Sequence, residues 1–320
     1  MKTITSFTVN HDKLKPGMYV SRIDGDVVTY DVRMKVPNGG DYRDLDISSA
    51  YVFIPQEWAS TTTYIATNDW RNNTFYLKKP TDMPIGRFNT GYQIMNTRFG
   101  LKQPGTWMFS VRDRQIVCWP HEGVTASNAV GCVSKAEALF DVSKTRHVKF
   151  DGLVLEGCAA RFNAGIYQKG FLPAAIGGYD PAFTELTDCE IRNVAGNGFE
   201  VVKGDDCTIR RTHVHHVGET GIKFADGGAR STILDSEVGH TGLLRVGGMG
   251  VELYSHATLL RSKVHDTSGV GIMLWSMRSI VASNEIYRTM TSMRDGGGVY
   301  GAQVDCVFKD NWCHDNGDWP

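Results

Sequence analysis

From residue 184 onward the chain repeats one short pattern of polar and apolar positions. The segments DCEIRNV, RTHVHHV, DSEVGHT, RSKVHDT, SNEIYRT and DNWCHDN share a register. In it Cys189, Thr212, Ser236, Ser262, Asn284 and Asn311 form a column with spacings of 23, 24, 26, 22 and 27 residues. Two residues later stand Ile191, Val214, Val238, Val264, Ile286 and Cys313, and between the two columns lie Glu190, His213, Glu237, Lys263, Glu285 and Trp312. In, out, in is the period of a strand that buries one face. A second pair of columns, Gly198-Phe199, Gly221-Ile222, Gly250-Val251, Gly271-Ile272 and Gly298-Val299, reads as a corner glycine turning the chain into the next strand.

A strand-rich repeat of this length with no helical half cannot bury its apolar face alone and must stack on its neighbours, which is the logic of a solenoid. A parallel β-helix satisfies it; leucine-rich repeats would need a Leu-x-x-Leu-x-Leu signature that is missing. HVKFDGLVLEG begins the stack near residue 147, and Tyr167 to Pro181 reads as a loop inserted before the second coil. The expected class is all-β, with a parallel β-helix over 139–320 after a small β-rich region or entry cap at 44–138. In that region GTWMFSV and QIVCWP flank a turn at Arg112-Asp113-Arg114. The chain stops at NGDWP with no polar cap, so further coils are expected beyond it.

Composition narrows the function. The 35 glycines in 320 residues suit a coil with many corners, and 34 Lys plus Arg against 35 Asp plus Glu removes the electrostatic basis for a nucleic-acid partner. No apolar run would span a bilayer, so no membrane partner is expected. The start, MKTITSFTVNHDK, lacks the apolar stretch of a secretory signal, which on its own predicts a cytoplasmic chain. Seven scattered cysteines read as small buried apolar residues, and neither a metal site nor a cofactor is expected.

Residues 1–43 differ from the rest. YVSRI and VVTYDVRMKV flank Asp24-Gly25-Asp26, a hairpin signal. The whole stretch ITSFTVNHDKLKPGMYVSRIDGDVVTYDVRMKVPNGGDY resembles the amino-terminal segment of the S-ribosylhomocysteine lyases. That family's metal-binding H-x-x-E-H helix does not follow, and no histidine occurs between His11 and His121. The segment is therefore expected to be a leader hairpin, weakly attached and without that family's chemistry.

Function on a β-helix is written across coils. Three residues before each corner glycine stand Ala195, Gly218, Gly247, Ser268 and then Asp295, the one carboxylate in a column of small residues. A turn aspartate bonding its own backbone is the plain alternative. GGAR at 227–230, NEIYRTMTSMRDGGGVYG at 284–301 and PGTWMFSVRDRQIVCWP at 104–120 together resemble the right-handed β-helix glycoside hydrolases that include fucosidase and xylanase activities, family 141 and its relatives. The resemblance implies a right-handed coil over about 60–320, an oligo- or polysaccharide partner, and a secreted or periplasmic location. It also implies that Asp295 is a catalytic carboxylate, with its acidic partner expected one or two coils further on.

Glu200, Lys223, Glu252, Met273 and Tyr300 form an outward column that suits either a sugar-binding face or an ordinary wet surface. His215, His265 and Tyr287 share another, with His216, His240 and Asp266 beside it. Glu252, His265, Glu285, Tyr300 and Trp275 are the candidate substrate-binding residues. Three functions stay open: a glycoside hydrolase, a polysaccharide lyase using Lys223 or Arg245 as base, and a glycan-binding solenoid without catalysis.

Overall fold

The structure is a computed structural model. It describes residues 42–55, 60–72, 74–78, 92–159, 173–226, 228–245, 247–254, 256–293 and 295–317, with the backbone of three short strands before them. The chain divides into two compact units, residues 1–132 with 162–169, and residues 133–161 with 170–320.

In the first unit, antiparallel strands in the order Arg33–Lys35, Thr74–Leu77, Ser60–Asp69, Tyr51–Pro55 and Gln93–Met95 form one sheet. Alternation decides its buried face, where Val52, Ile54, Ile65 and Phe75 make the core. Trp107–Ser110 pairs with Gln115–Cys118 around the Arg112–Arg114 turn. Of the leader, Arg22–Asp24 pairs antiparallel with Val27–Thr29, as the Gly-centred signal predicts, while residues 1–21 lie outside the described residues. Arg33–Lys35 pairs with Thr74–Leu77, so strand pairing crosses the expected boundary at residue 43.

The second unit is a right-handed parallel β-helix. Among the described residues it has three parallel sheets of seven strands, and every coil adds one strand to each sheet. The first sheet contains Phe140–Asp141, Ala174–Tyr179, Asn197–Val202, Ile222–Ala225, Val251–Leu253, Ile272–Met277 and Val299–Val304. The second runs from Lys149–Asp151 to Val307–Lys309 and the third from Val154–Cys158 to Trp312–His314. In the third sheet Leu155, Ile191, Val214, Val238, Val264, Ile286 and Cys313 are successive register partners, so the column read from the sequence is one ladder, with Val214 directly opposite Val238. Phe150, Leu186, Ile209, Ile233, Leu259 and Val281 from the second sheet meet it in the core.

Two expectations are corrected. Part of the loop read at Tyr167 to Pro181 is a strand: Ala174–Tyr179 is the second strand of the first sheet, paired with Asn197–Val202. Its sequence, AAIGGY, has the small residues of a loop, and at Gly178 an added Cβ would lie 2.8 Å from Ser143 N and from the Val142 carbonyl carbon, so the neighbouring coil leaves no room for a side chain there. The glycines do stand where the chain bends into the first sheet, with Gly221, Gly250, Gly271 and Gly298 at bends, but none of the column has a positive φ. At Gly250 an added Cβ would lie 2.3 Å from Val264 Cγ1 and 2.6 Å from the Gly271 carbonyl, so close packing, not backbone freedom, selects glycine there.

Left-handed residues make the other corners. After the second sheet, Asp188, Arg211, Asp235 and Arg261 take left-handed φ values of 53°, 46°, 50° and 47°. In the third sheet Asn193, His216, His240 and Asp266 do so one residue before their strands end, and Arg288 just after its strand. Residues in one corner column stack a strand spacing apart, and bidentate pairs join Asp188 to Arg211 and Asp235 to Arg261.

Just after the corner that follows the second sheet runs the polar column. The backbone N–H of Thr212 donates to Ser236 Oγ, that of Ser236 to Ser262 Oγ, that of Ser262 to Asn284 Oδ1 and that of Asn284 to Asn311 Oδ1. Each coil thus satisfies a buried donor of the coil before it. Two substitutions test these roles in chemical denaturation. Asn284→Ala leaves the Ser262 N–H without its acceptor at 2.9 Å and is expected to destabilise by about 1–3 kcal/mol. Gly250→Ala overpacks a filled corner and is expected to cost about 1–3 kcal/mol, with no gain from the stiffer backbone.

Candidate functional site

The outer face of the first sheet holds a cluster of charged side chains that is largely closed to solvent. Phe199 and Val201, Ile222 and Phe224, and Val251 and Leu253 point into the core, which sends Glu200, Lys223 and Glu252 outward on three adjacent strands in one register column. Despite facing outward, Glu200 and Glu252 are only 5 % and 6 % exposed. The Lys223 ammonium lies between them, 3.1 Å from Glu252 Oε2 and 3.8 Å from Glu200 Oε1. Asn197 Nδ2 donates to Glu200 Oε2 at 2.7 Å, and the Tyr254 hydroxyl donates to Glu252 Oε1 at 3.1 Å.

A second pair adjoins the first. Glu219, in the turn before Ile222–Ala225, accepts from Arg245 Nη1 at 3.0 Å. Burial pushes the Glu219 carboxyl above its usual range, with Arg245 opposing, and burial likewise raises Glu200 against the pull of Lys223. Tyr254 is raised by burial first and by the Glu252 charge second. The cluster thus sets three carboxyl groups against two cations in a poorly solvated place, the setting in which acid and base roles separate.

The candidate residues fall on two faces. Glu252, Trp275 and Tyr300 stand on consecutive strands of the first sheet, Trp275 and Tyr300 being 45 % and 42 % exposed. His265 and Glu285 stand on the third sheet. Asp295 is exposed in the turn leading to Val299–Val304, at φ 65°.

On the third sheet the aromatic rings form a continuous line across coils. His213 stacks on His215, His216 faces His240 at 4.6 Å, and His265, Tyr287 and His314 stack in turn. Gly239 leaves the space that the His265 ring fills. Glu190 meets His215 Nε2 and Glu237 meets His265 Nε2, while Glu285 pairs with Lys263 and is lowered by it. Ligand atoms of His240, His265 and Asp266 lie within 4.8 Å of one another. However, Asp266 is gripped by the Arg288 fork at 2.7 and 2.6 Å and also meets His265 Nδ1. Asp266 and His265 thus serve the protein's own bonds, and His265 and Glu285 belong to a cross-coil network distinct from the charged cluster.

Sequence reasoning found the column Glu200, Lys223 and Glu252 but missed Asn197, Glu219, Arg245 and Tyr254 as its partners. Asn197 opens its strand, Glu219 precedes the next and Arg245 lies in the turn after Glu237–Thr241, so no outward alternation marks them.

The sequence signature of the right-handed β-helix region matches residues 129–285 and 174–318, together more than half the chain. The chain belongs to the right-handed β-helix family. In structure it is similar to a glycoside hydrolase, with a TM-score of 0.71 at 13 % identity over 88 % of this chain and 62 % of that one. That similarity shows the fold, and the chain spans less than two thirds of that protein. At the amino terminus it is 62 % identical over 42 residues to the S-ribosylhomocysteine lyase of Clostridium acetobutylicum, which is 12 % of this chain and 27 % of that enzyme. The enzyme of Desulfotalea psychrophila matches at 39 % over 88 residues, 24 % of this chain and 55 % of that one.

The Arg288 fork holds the Asp266 carboxyl down at about 2 against an ordinary 3.8, with His265 adding to the effect. Because the folded value is depressed, the pair's stabilisation is fully present above about pH 4 and is lost as pH falls through about 2. Asp266→Asn is therefore expected to lower the melting temperature at pH 7, and the gap to the unsubstituted chain should close as the pH approaches 2. A gap that stays constant with pH would show that the ion pair contributes nothing.

Proposed function

We propose that the chain is a carbohydrate-active β-helix protein that hydrolyses glycosidic bonds of an oligo- or polysaccharide on the outer face of the first sheet. The observation that carries this reading is the pairing of Glu200 with Glu252 around Lys223. The two ion-pair distances set an upper limit of about 7 Å between the facing carboxylate oxygens, near the separations at which two carboxyl groups flank a scissile glycosidic bond. In this reading one carboxyl group protonates the leaving oxygen as the C–O bond breaks, and the other, ionised, either bonds to the sugar carbon itself, water later displacing it, or takes the proton of the water that attacks that carbon. Trp275 and Tyr300, exposed on the next two strands, supply ring faces for neutral pyranoses.

The pairing of the cations favours hydrolysis over elimination. A lyase would need Lys223 or Arg245 as its base, and here Lys223 is engaged with Glu252 and Arg245 with Glu219. Asp295, exposed at the neighbouring corner, is the rival acid and carries over from the resemblance to β-helix hydrolases.

The test is turnover of neutral oligosaccharides, fucosides and xylosides by the full chain. Release of new reducing ends is expected, with Glu252→Gln lowering kcat about 10²- to 10⁴-fold and Asp295→Asn close to the parent. Activity lost in Asp295→Asn but kept in Glu252→Gln would move the site to the corner. An unsaturated, ultraviolet-absorbing product would replace hydrolysis by elimination.

A further inference from the structure

We propose that Lys223 is a positioning residue that gives the two carboxyl groups unlike protonation states, with Glu252 ionised and Glu200 carrying the proton. Its role in turnover rests on the hydrolase reading, while the assignment of charge rests on the hydrogen bonds alone. Both oxygens of Glu252 are acceptors: Oε2 faces the Lys223 ammonium at 3.1 Å, and Oε1 accepts from the Tyr254 hydroxyl at 3.1 Å. Two donors, one of them a cation at hydrogen-bond length, favour the ionised form of this carboxyl group.

Glu200 is bound differently. The Asn197 amide is oriented by the Thr220 N–H, which donates to its Oδ1 at 2.9 Å, so its Nδ2 is the group that faces Glu200 Oε2. Glu200 Oε1 is then left 3.8 Å from Lys223, beyond hydrogen-bond length, and can hold a proton. The other ionisable groups acting on this column are Glu219 with its Arg245 partner and Asp226, which acts on Tyr254. The following position in the column is the apolar, buried Met273. Burial raises Glu200, in keeping with the geometry. Without Lys223 both groups would shift toward the neutral form, because the cation favours their ionised states.

The experiment is a pH titration of the full chain labelled with 13C at the glutamate carboxyls, with signals assigned through Glu200→Gln and Glu252→Gln. Glu252 is expected to titrate at lower pH than Glu200. In Lys223→Met both midpoints should rise, that of Glu252 by about one pH unit or more, and Lys223→Arg should return it toward its original value. Tyr254→Phe, which removes one hydrogen bond and no charge, should raise Glu252 by less, and it serves if Lys223→Met does not fold. Glu200 titrating at or below Glu252, or a Glu252 midpoint unmoved in these variants, overturns the assignment. If the expected order holds but no glycan is hydrolysed, the hydrolase reading fails and the assignment stands; hydrolysis with the reversed order sinks the assignment alone.

Discussion

The backbone N–H and C=O groups of each β-helix coil find their partners in the coils on either side, because three short strands joined by corners have no partners among themselves. That exchange fixes a spacing of about 4.8 Å and one register for all three sheets. Once it is fixed, every position in a coil has a neighbour of the same kind above and below. An inward Val214 must meet Val238, and an outward Glu200 must meet Lys223. The apolar core and the polar surface are thus sorted by the same hydrogen bonds, and a side chain is compatible with the fold only if its two column neighbours accept it.

The corners depend on the same constraint. A left-handed residue at the end of each second- and third-sheet strand lets the chain change direction within one residue, and asparagine, aspartate and histidine tolerate this conformation better than most. Arginine does not share that tolerance, yet Arg211, Arg261 and Arg288 adopt it, each with an aspartate one coil back to receive its guanidinium. Inside the corner, the Ser and Asn ladder closes a line of buried N–H groups that the strands leave open.

Much of this was legible in the sequence because a period-two strand repeated every coil leaves two aligned columns. Ile191 to Ile286 and Thr212 to Asn311 could be read without knowing the fold, and so could the outward column through Glu252. What escaped has physical causes. AAIGGY has a loop's composition, in part because the backbone of Val142 and Ser143 leaves no room for a side chain at Gly178, so Ala174–Tyr179 did not announce a strand. The glycine before each first-sheet strand was assigned to backbone freedom when its neighbours demand the absence of a Cβ. Asn197, Glu219, Arg245 and Tyr254 come from strand ends and turns, whose lengths differ from coil to coil, so no alignment of columns brings them together. His265 and Glu285 were recognisable as outward residues, but which face they occupy depends on which of three sheets holds the strand.

The alternation of charge after the second sheet has a consequence for how such a chain can change length. Asp188, Arg211, Asp235 and Arg261 follow one another coil by coil, and on the third sheet Glu190 meets His215, Glu237 meets His265 and Glu285 approaches His314, again one pair for every two coils. Excising the single coil that carries Arg211 would set Asp188 against Asp235. Excising that coil and the next would set Asp188 against Arg261 and restore the match. The heritable module of this stretch is therefore the coil pair, and gain or loss of coils in even numbers is the path that keeps opposite charges in contact.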